Sequence, residues 1–375
     1  MKVFSRFKFF LHLALLYCSR IITEKRRWYT AQDVTDNRAK VFYGHNNIPS
    51  RMDRSGGAII KLQDLDDAFP NTIRGANILY LVSSAMPIFA SVMVKEAKRR
   101  GVIFVLNQNG VAYPAWHGPG WEKTNQPKRF LLESADYVIY QSEFCKISAD
   151  RFLGSCKVPC TVLPNPVDTS VFTPVYGKPP GCSILLAGSH QHFYRISTAL
   201  KMMKYLQMKV PDMKLTIAGR YAWRKSEKKC IEEALNFAHS IGVANQVEFR
   251  GGYSQEEASS LFQEHHILLH TKYNDPCPRL VVEAMACGLP IVYSQSGGMM
   301  ELVGKEGGIG VEAPLDWDKV HPPDPQRLAP AVIDVFLDYE RFSNAVRTRS
   351  VEKFDVRPWI EKHRKIFDSL LLSSM

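Results

Sequence analysis

Short apolar runs alternate with amphipathic stretches along most of this chain, and the alternation happens twice. It opens with AKVFYGHNN (39–47) as a strand and SGGAIIKLQDLDDAF (55–69) as a helix. ANILYLVSSAM, VIFVLNQNG and DYVIYQS then read as strands, with PIFASVMVKEAKRRG and QPKRFLLESA as helices between them. Nearly continuous apolar strands separated by helices fit a parallel sheet covered on both faces. A segment rich in proline and glycine, PNPVDTSVFTPVYGKPPG (164–181), interrupts the pattern. It then restarts with CSILLAGSH, ISTALKMMKYLQMKVP, MKLTIAGR, EKKCIEEALNFAHSIG, QVEFRGGYS, QEEASSLFQEH and HILLHTKY. The expected architecture is α/β: two Rossmann-like parallel-sheet domains, 39–175 and 176–350, facing a central cleft. An amphipathic helix, RPWIEKHRKIFDSLLL, follows within 351–375. A length of 375 residues agrees with two domains of about 100–200 residues each. In open parallel sheets the carboxyl ends of the strands are where ligands bind.

The net charge of +11 is unevenly spread. Residues 1–40 hold nine Lys and Arg against three acids, so +6 of the +11 lies there and the bulk is only mildly basic. No basic stripe of the kind that tracks nucleic acid is visible, and no nucleic-acid partner is expected. Phosphate-bearing small ligands or an anionic membrane account for the charge. The segment 1–38 contains FFLHLALLYC (Phe9 to Cys18), flanked by Arg6, Lys8, Arg20, Lys25, Arg26 and Arg27. The run is short of the roughly 20 apolar residues that span a bilayer. Three readings stay open: a helix lying in a membrane interface through residues 1–27, a helix packed on the protein, and a signal sequence. Eight cysteines, with no Cys-x-x-Cys, read mostly as small buried hydrophobes in a reducing compartment, and no zinc site is expected. The expected location is cytoplasmic, peripheral on the inner face of a membrane.

The densest chemistry lies in NDPCPRLVVEAMACGLPIV, from Asn274 to Val292. A helix is expected from about Arg279, after Pro278, with Asp275 in the loop before it and Glu283 one turn inside. The free N–H groups at that helix start favour an anion. A carboxylate in so apolar a helix is costly unless bonded. A sugar's vicinal hydroxyls would bond it. The residues alone also admit Glu283 as an ordinary helix acid and Asp275 as a turn residue.

DPCPRLVVEAMACGLPIV resembles the donor-binding motif of glycosyltransferase family 4: an acid, seven residues, a glutamate, then Ala-Met-Ala-x-Gly-x-Pro. Here these are Asp275, Glu283, Ala284, Met285, Ala286, Gly288 and Pro290. VLPNPVDTSVF, with Asn165, Val167, Asp168 and Phe172, resembles the family's linker. SGGMMEL (296–302) resembles its Gly-Gly-x-x-Glu loop, and SGGAII the glycine pair after the first strand. The resemblance covers about 40–370 and is strongest over 160–305. It implies a GT-B fold whose last helix crosses back onto the first domain. It implies retaining transfer from a nucleotide-diphospho-sugar co-substrate to a glycan or lipid-linked acceptor, without a catalytic metal or other cofactor. The catalytic set it implies is Asp275, Glu283, Arg195 and Asn109. The donor-binding set is Gly56, Gly57, Gly188, Ser189, Arg195, Lys272, Cys277, Arg279, Leu280 and Glu283, with Glu283 on the ribose and Asp275 on the sugar.

The sequence also departs from the family pattern. Ser189 stands where the family has the first of two phosphate-binding cations; Arg195 is the second, and Arg279, Lys272 and Arg220 are candidate substitutes. The acid that opens the motif is Asp rather than Glu. Asn109 stands where many members have a loop histidine; His117 lies farther on. Asp64–Asp66 imitates an Asp-x-Asp metal motif but falls in a helix, and reads as a solvated face. No Gly-x-Gly-x-x-Gly follows a first strand, which disfavours a dinucleotide oxidoreductase. A non-catalytic nucleotide-sugar-binding module is the alternative from another class.

Overall fold

The computed structural model describes residues 2–30, 38–53, 55–175, 177 and 181–373, with side chains in the first helix from Leu15 to Tyr29. Part of the expected linker, Tyr176 and 178–180, lies outside the described residues. The first half of the chain runs α1 (Lys2–Thr30), β1 (Val41–Phe42), α2 (Gly57–Asp66), β2 (Ile78–Val82), α3 (Ala90–Lys98) and β3 (Ile103–Gln108). It continues with the one-turn α4 (Pro114–His117), then α5 (Trp121–Ser134), β4 (Tyr137–Tyr140), α6 (Glu143–Phe152) and β5 (Cys160–Val162). The second half opens with β6 (Ser183–His190), α7 (Tyr194–Leu206), β7 (Lys214–Tyr221), α8 (Glu227–Ser240), β8 (Val247–Arg250), α9 (Gln255–Gln263) and β9 (Ile267–His270). It continues through α10 (Arg279–Ala286), β10 (Ile291–Gln295), α11 (Met299–Val303), β11 (Gly308–Glu312), α12 (Pro325–Leu337) and α13 (Tyr339–Phe354). The final helix is α14 (Val356–Ser373).

The strands form two all-parallel sheets, one ordered β1-β2-β3-β4-β5 and the other β11-β10-β9-β6-β7-β8. Every residue of β2 and β3 is buried, as expected of strands covered on both faces. Each sheet carries an apolar layer on either side. In the first domain, Leu79, Leu81 and Phe104 face α3 and α5, while Ile78, Tyr80 and Val105 face α2 and α14. In the second, Ile184 and Leu186 face α7 and α12, while Leu185 and Ala187 face α10.

The last two helices divide between the domains. Arg347 of α13 donates to the carbonyls of Thr169, Phe172 and Ala286 and so belongs to the second domain. Trp359, Phe367 and Leu371 of α14 join the first domain's core. The two crossings of the chain run side by side: Val167 N–H donates to Phe354 O at 2.8 Å and Val356 N–H to Val167 O at 3.0 Å.

The N-terminal helix is longer than the apolar run, and its second half is packed on the protein. Trp28 is fully buried with Phe42 and α3, and Glu24 is fully buried between Arg20 and Arg27. Tyr17 meets Phe89 edge to face. Leu15, Leu16 and Ile22 remain exposed, and the side chains of Arg6 and Lys8 lie outside those described. No described helix is long and apolar enough to cross a membrane. Because Trp28 fills core volume, Trp28→Ala should lower unfolding stability by about 3–5 kcal/mol, measured by urea denaturation. A helix without structural packing would show no such loss.

Candidate active site

The expected helix start is realised at Arg279, with Pro278 as N-cap and no side-chain cap. The N–H groups of Arg279 and Leu280 therefore have no intrahelical acceptor, while Val281 N–H donates to Pro278 O at 3.1 Å. The loop before it is held from behind by the Gly297–Gly298 pair. A Cβ on either glycine would collide with the carbonyls of Asp275 and Pro276, and Gly298 N–H donates to Asp275 O at 2.9 Å. This close approach explains the Ser-Gly-Gly sequence there. Glu301, four residues beyond Gly297, accepts from the backbone N–H groups of Glu143 and Phe144 and so caps α6 of the opposite domain.

Two cavities open between the domains and share Gly57 and Arg279 in their walls. The first, about 510 Å³, is walled by Gly56 and Gly57 at the start of α2, the paired strand ends at Gly188–Ser189 of β6 and Gly219–Arg220 of β7, the start of α9, and Arg279, Leu280 and Glu283 of α10. Gly188 has φ +107, and a Cβ there would lie 2.8 Å from Leu280, so glycine lets the end of β6 lie against α10. The second cavity, about 390 Å³, lies mostly against the first domain. Its walls include Ser84, Asn109, Tyr113, Trp116, His117, Lys128, Lys272, Asn274 and Cys277. Of the expected site residues, Asp275 and Arg195 are the two that border neither cavity.

Glu283 is buried but not alone. Its Oε1 accepts from Arg279 Nε at 2.8 Å and from Gln255 Nε2 at 2.9 Å, while Oε2 takes neither bond. Arg279 also reaches Asp64 of α2 at 2.5 Å, and Arg51 reaches the other oxygen of Asp64 at 3.1 Å. The solvated-face reading of Asp64–Asp66 is therefore corrected. Asp64 is 3% exposed and pairs across the domain boundary, because the turn of α2 that carries it faces α10 rather than water. Asp66 accepts from the backbone N–H of Asn71.

Asp275 is also buried. It accepts from His270 Nε2 at 3.1 Å and Lys272 Nζ at 3.2 Å. Burial alone would raise its pKa, but Lys272 and His270 outweigh it and hold the carboxyl well below the usual range. Burial pushes His270 the other way, downward, against the pull of Asp275. Lys272 lies 4.8 Å over the Trp116 ring. Burial pushes the Cys277 thiol up to about 12, and its carbonyl accepts from Asn165 Nδ2 at 2.7 Å.

Arg195 is buried, not a surface arginine. It donates to Ser189 O at 2.6 Å and Ala187 O at 3.3 Å, on either side of Gly188 in β6, and its Nε has no partner among the described residues. Among the candidate substitutes, Arg279 is committed to two carboxylates and Lys272 to one. Arg220 borders the larger cavity and is exposed, with no ion pair among the described residues. His117 borders the smaller cavity and its Nε2 meets Thr124 Oγ1 at 2.8 Å.

The sequence reading missed Gln255, Asp64 and Lys61. Lys61 is fully buried in α2, with Nζ 2.8 Å from Asn107 Oδ1 and 3.4 Å from Asn109 Oδ1. A signal for two of these was present. Lys61 and Asp64 follow Gly57 by four and seven positions, which places all three on one helical face.

The Glycosyl transferases group 1 family matches residues 183–348. The MMP alpha-(1->4)-mannosyltransferase of Mycolicibacterium hassiacum is 26% identical over 78% of this chain and 67% of its own length. The phosphatidylinositol N-acetylglucosaminyltransferase gpi3 subunit of Schizosaccharomyces pombe is 21% identical over 66% of this chain and 52% of its own length. Among solved structures, Anabaena HepE in complex with UDP and glucose superposes with a TM-score of 0.67 at 15% identity, over 88% of this chain and 100% of that one. With two parallel-sheet domains that superpose on that structure the chain has a GT-B fold, and its second domain, residues 183–348, is a glycosyl transferases group 1 domain.

Proposed function

We propose that the enzyme transfers a sugar, with retention, from a nucleotide-diphospho-sugar bound in the larger cavity to a hydroxyl acceptor in the smaller one. The observation that carries this reading is the Glu283 carboxylate. It stands in the larger cavity's wall with Oε1 already bonded and Oε2 open to a pair of ribose hydroxyls. The amides opening α10 and the strand ends at Gly188 and Gly219 surround the space beside it, which suits a diphosphate. HepE was solved with UDP and glucose, which supports the donor class. The transferase names of the relatives do not favour the non-catalytic alternative.

In the proposed reaction the acceptor oxygen bonds to the anomeric carbon as the bond from that carbon to the leaving phosphate oxygen breaks. The bonding pair goes to the phosphate oxygen, which takes the acceptor's proton. Charge therefore grows on the diphosphate, where preorganised donors count most. Helix N–H groups, Arg220 at the cavity and Arg195 behind the end of β6 would supply the stabilisation. Asp275, held ionised against Lys272 and His270, would orient Lys272 at the boundary with the acceptor cavity. The lipid-linked acceptor class draws support from the phosphatidylinositol-directed relative. The exposed apolar side chains of α1 beside Lys25 and Arg26 would hold the enzyme at an anionic membrane surface.

Glu283→Ala should abolish measurable transfer from a panel of nucleotide sugars and weaken nucleotide binding by about 1.5–3 kcal/mol, the value of hydrogen bonds to a charged group. Calorimetry with UDP and other nucleoside diphosphates reads the second effect, and unchanged turnover would sink the assignment. Arg195→Ala should lower kcat more than it raises KM, because the charge it meets develops in the transition state. A change confined to melting temperature would leave Arg195 as support for the turn alone. Lys25→Glu should weaken co-sedimentation with anionic vesicles by about 1 kcal/mol or more and leave binding to neutral vesicles unaltered. Equal binding by the variant would put the contact elsewhere.

A further inference from the structure

Five buried side chains form one hydrogen-bonded chain from the crossing helix α14 to the smaller cavity. His363 Nδ1 lies 3.0 Å from Trp359 O, a carbonyl that can only accept, so Nδ1 carries the proton and Nε2 is an acceptor. Tyr80 O–H therefore donates to His363 Nε2 at 3.2 Å. Asn107 Nδ2 donates to the Tyr80 oxygen at 2.9 Å, which leaves its Oδ1 to accept from Lys61 Nζ at 2.8 Å. Lys61 Nζ also donates to Asn109 Oδ1 at 3.4 Å, and Asn109 Nδ2 donates to Ser84 Oγ. Each donor and acceptor in the chain is used in one direction. Reversing the Asn109 amide would turn an N–H toward the Lys61 ammonium, which has no lone pair to accept it.

Among the described residues no carboxylate bonds the Lys61 amine, although the side chain is 1% exposed. Such burial is costly, and it pushes Lys61 down from its ordinary 10.5 to about 7. Ammonium and amine can both donate to the two asparagines, so the arrangement survives loss of the proton. A neutral apolar residue of the same length would fit the core at lower cost. The amine is thus best accounted for by what it orients. With Oδ1 turned inward, Asn109 keeps one Nδ2 hydrogen for Ser84 and has a second with no acceptor among the described residues, at the wall of the smaller cavity.

We propose that Lys61 is a positioning residue for the transfer reaction: by holding Asn109 Oδ1 it fixes the Asn109 amide so that an N–H, rather than a carbonyl, faces the acceptor cavity. The ligand class this selects is a group presenting an oxygen lone pair, namely the acceptor hydroxyl or a ring or hydroxyl oxygen of the sugar being moved. Asn109 would then steer the acceptor oxygen as a hydrogen-bond donor and take no proton from it. The proposal rests on the acceptor-cavity reading given above.

The test compares Lys61→Met, which has no donor, with Lys61→Gln, which keeps an N–H and cannot titrate. Crystal structures and steady-state kinetics are taken for both variants and the wild type. The expected result is that Lys61→Met lowers kcat by about 100-fold, the scale of a small misplacement of a reacting group. The donor KM should stay within about two-fold, because the donor cavity is untouched. Asn109 should leave its orientation in the Met variant and keep it in the Gln variant, which should recover most of the lost kcat. Unchanged kcat in Lys61→Met, or an Asn109 that stays bonded to Ser84 as before, overturns the proposal. So does an equal kcat loss in both variants that follows their melting temperatures, which is what a merely structural lysine would give. Should Lys61→Met fail to fold, a Gln variant in which Asn109 has turned away overturns the proposal, and one that keeps both Asn109 and kcat supports it. If the wild type transfers from no nucleotide sugar, the proposed function falls, while the Asn109 orientation in the variants still decides what Lys61 positions.

Discussion

The Arg279 guanidinium between Asp64 and Glu283 is the interaction on which the site depends. One carboxylate belongs to the first domain and the other to the second, and all three side chains are buried. Burying such charges costs several kcal/mol each, and the pair holds only because each has a partner. Removing one partner from a buried pair of this kind costs about 3–5 kcal/mol, since it strands the remaining charge. The bond links α10 to α2 across the domain boundary, and a Cβ on Gly57 would meet the Arg279 side chain at 3.6 Å, an ordinary van der Waals contact. Both cavities meet at this point. The same guanidinium holds Oε1 of Glu283 and leaves Oε2 on the cavity side.

The rest of the domain contact is also largely polar. Ser142 donates to Pro276 O, Asn165 to Cys277 O, and Glu301 caps α6. Trp317, reached by the chain after β11, adds an apolar contact, stacked on Phe144 and edge-on to Tyr113. Polar contacts between domains permit relative motion more readily than a continuous apolar core does. Motion of that kind lets substrates enter and then excludes water, which matters for a reaction whose donor would otherwise hydrolyse. The paired crossings at Val167 and Asp355 put both covalent links between the domains at one place, so rotation there would strain neither separately.

The cations of the site are placed unequally. Arg195 lies behind the backbone it would assist, Lys272 is balanced by Asp275, and Arg279 is spent on the domain contact. Arg220 alone among those four is exposed at a cavity without an ion pair among the described residues. An unpaired exposed cation at an anion-sized space is a different resource from a buried paired one. The first can meet an incoming charge at little desolvation cost; the second already has its counter-charge.

The alternation of apolar strands with amphipathic helices, broken once at 164–181, was enough to specify two parallel-sheet domains, because a strand buried on both faces has few other places to go. The spacing of Asp275, Glu283 and the small residues after it was enough to mark α10 and its N-terminus, because helix starts and close backbone approaches are local properties of residue type. Gly297 and Gly298 belong with these. Which partner each charged side chain takes was decided only in three dimensions. Asp64 looked solvated because its own helix says nothing about the α10 turn that covers it. Arg195 reads in sequence as a phosphate-binding cation, yet it bonds the carbonyls of Ala187 and Ser189 in β6, a pairing set by how α7 packs on that strand. Lys61 and His363, some three hundred positions apart, share a hydrogen-bond chain because α14 packs on β2. Local patterning determines where helices and strands form and which faces they bury; the pairing of buried charges depends on distances between elements far apart in the chain, and these exist only once both sheets are packed.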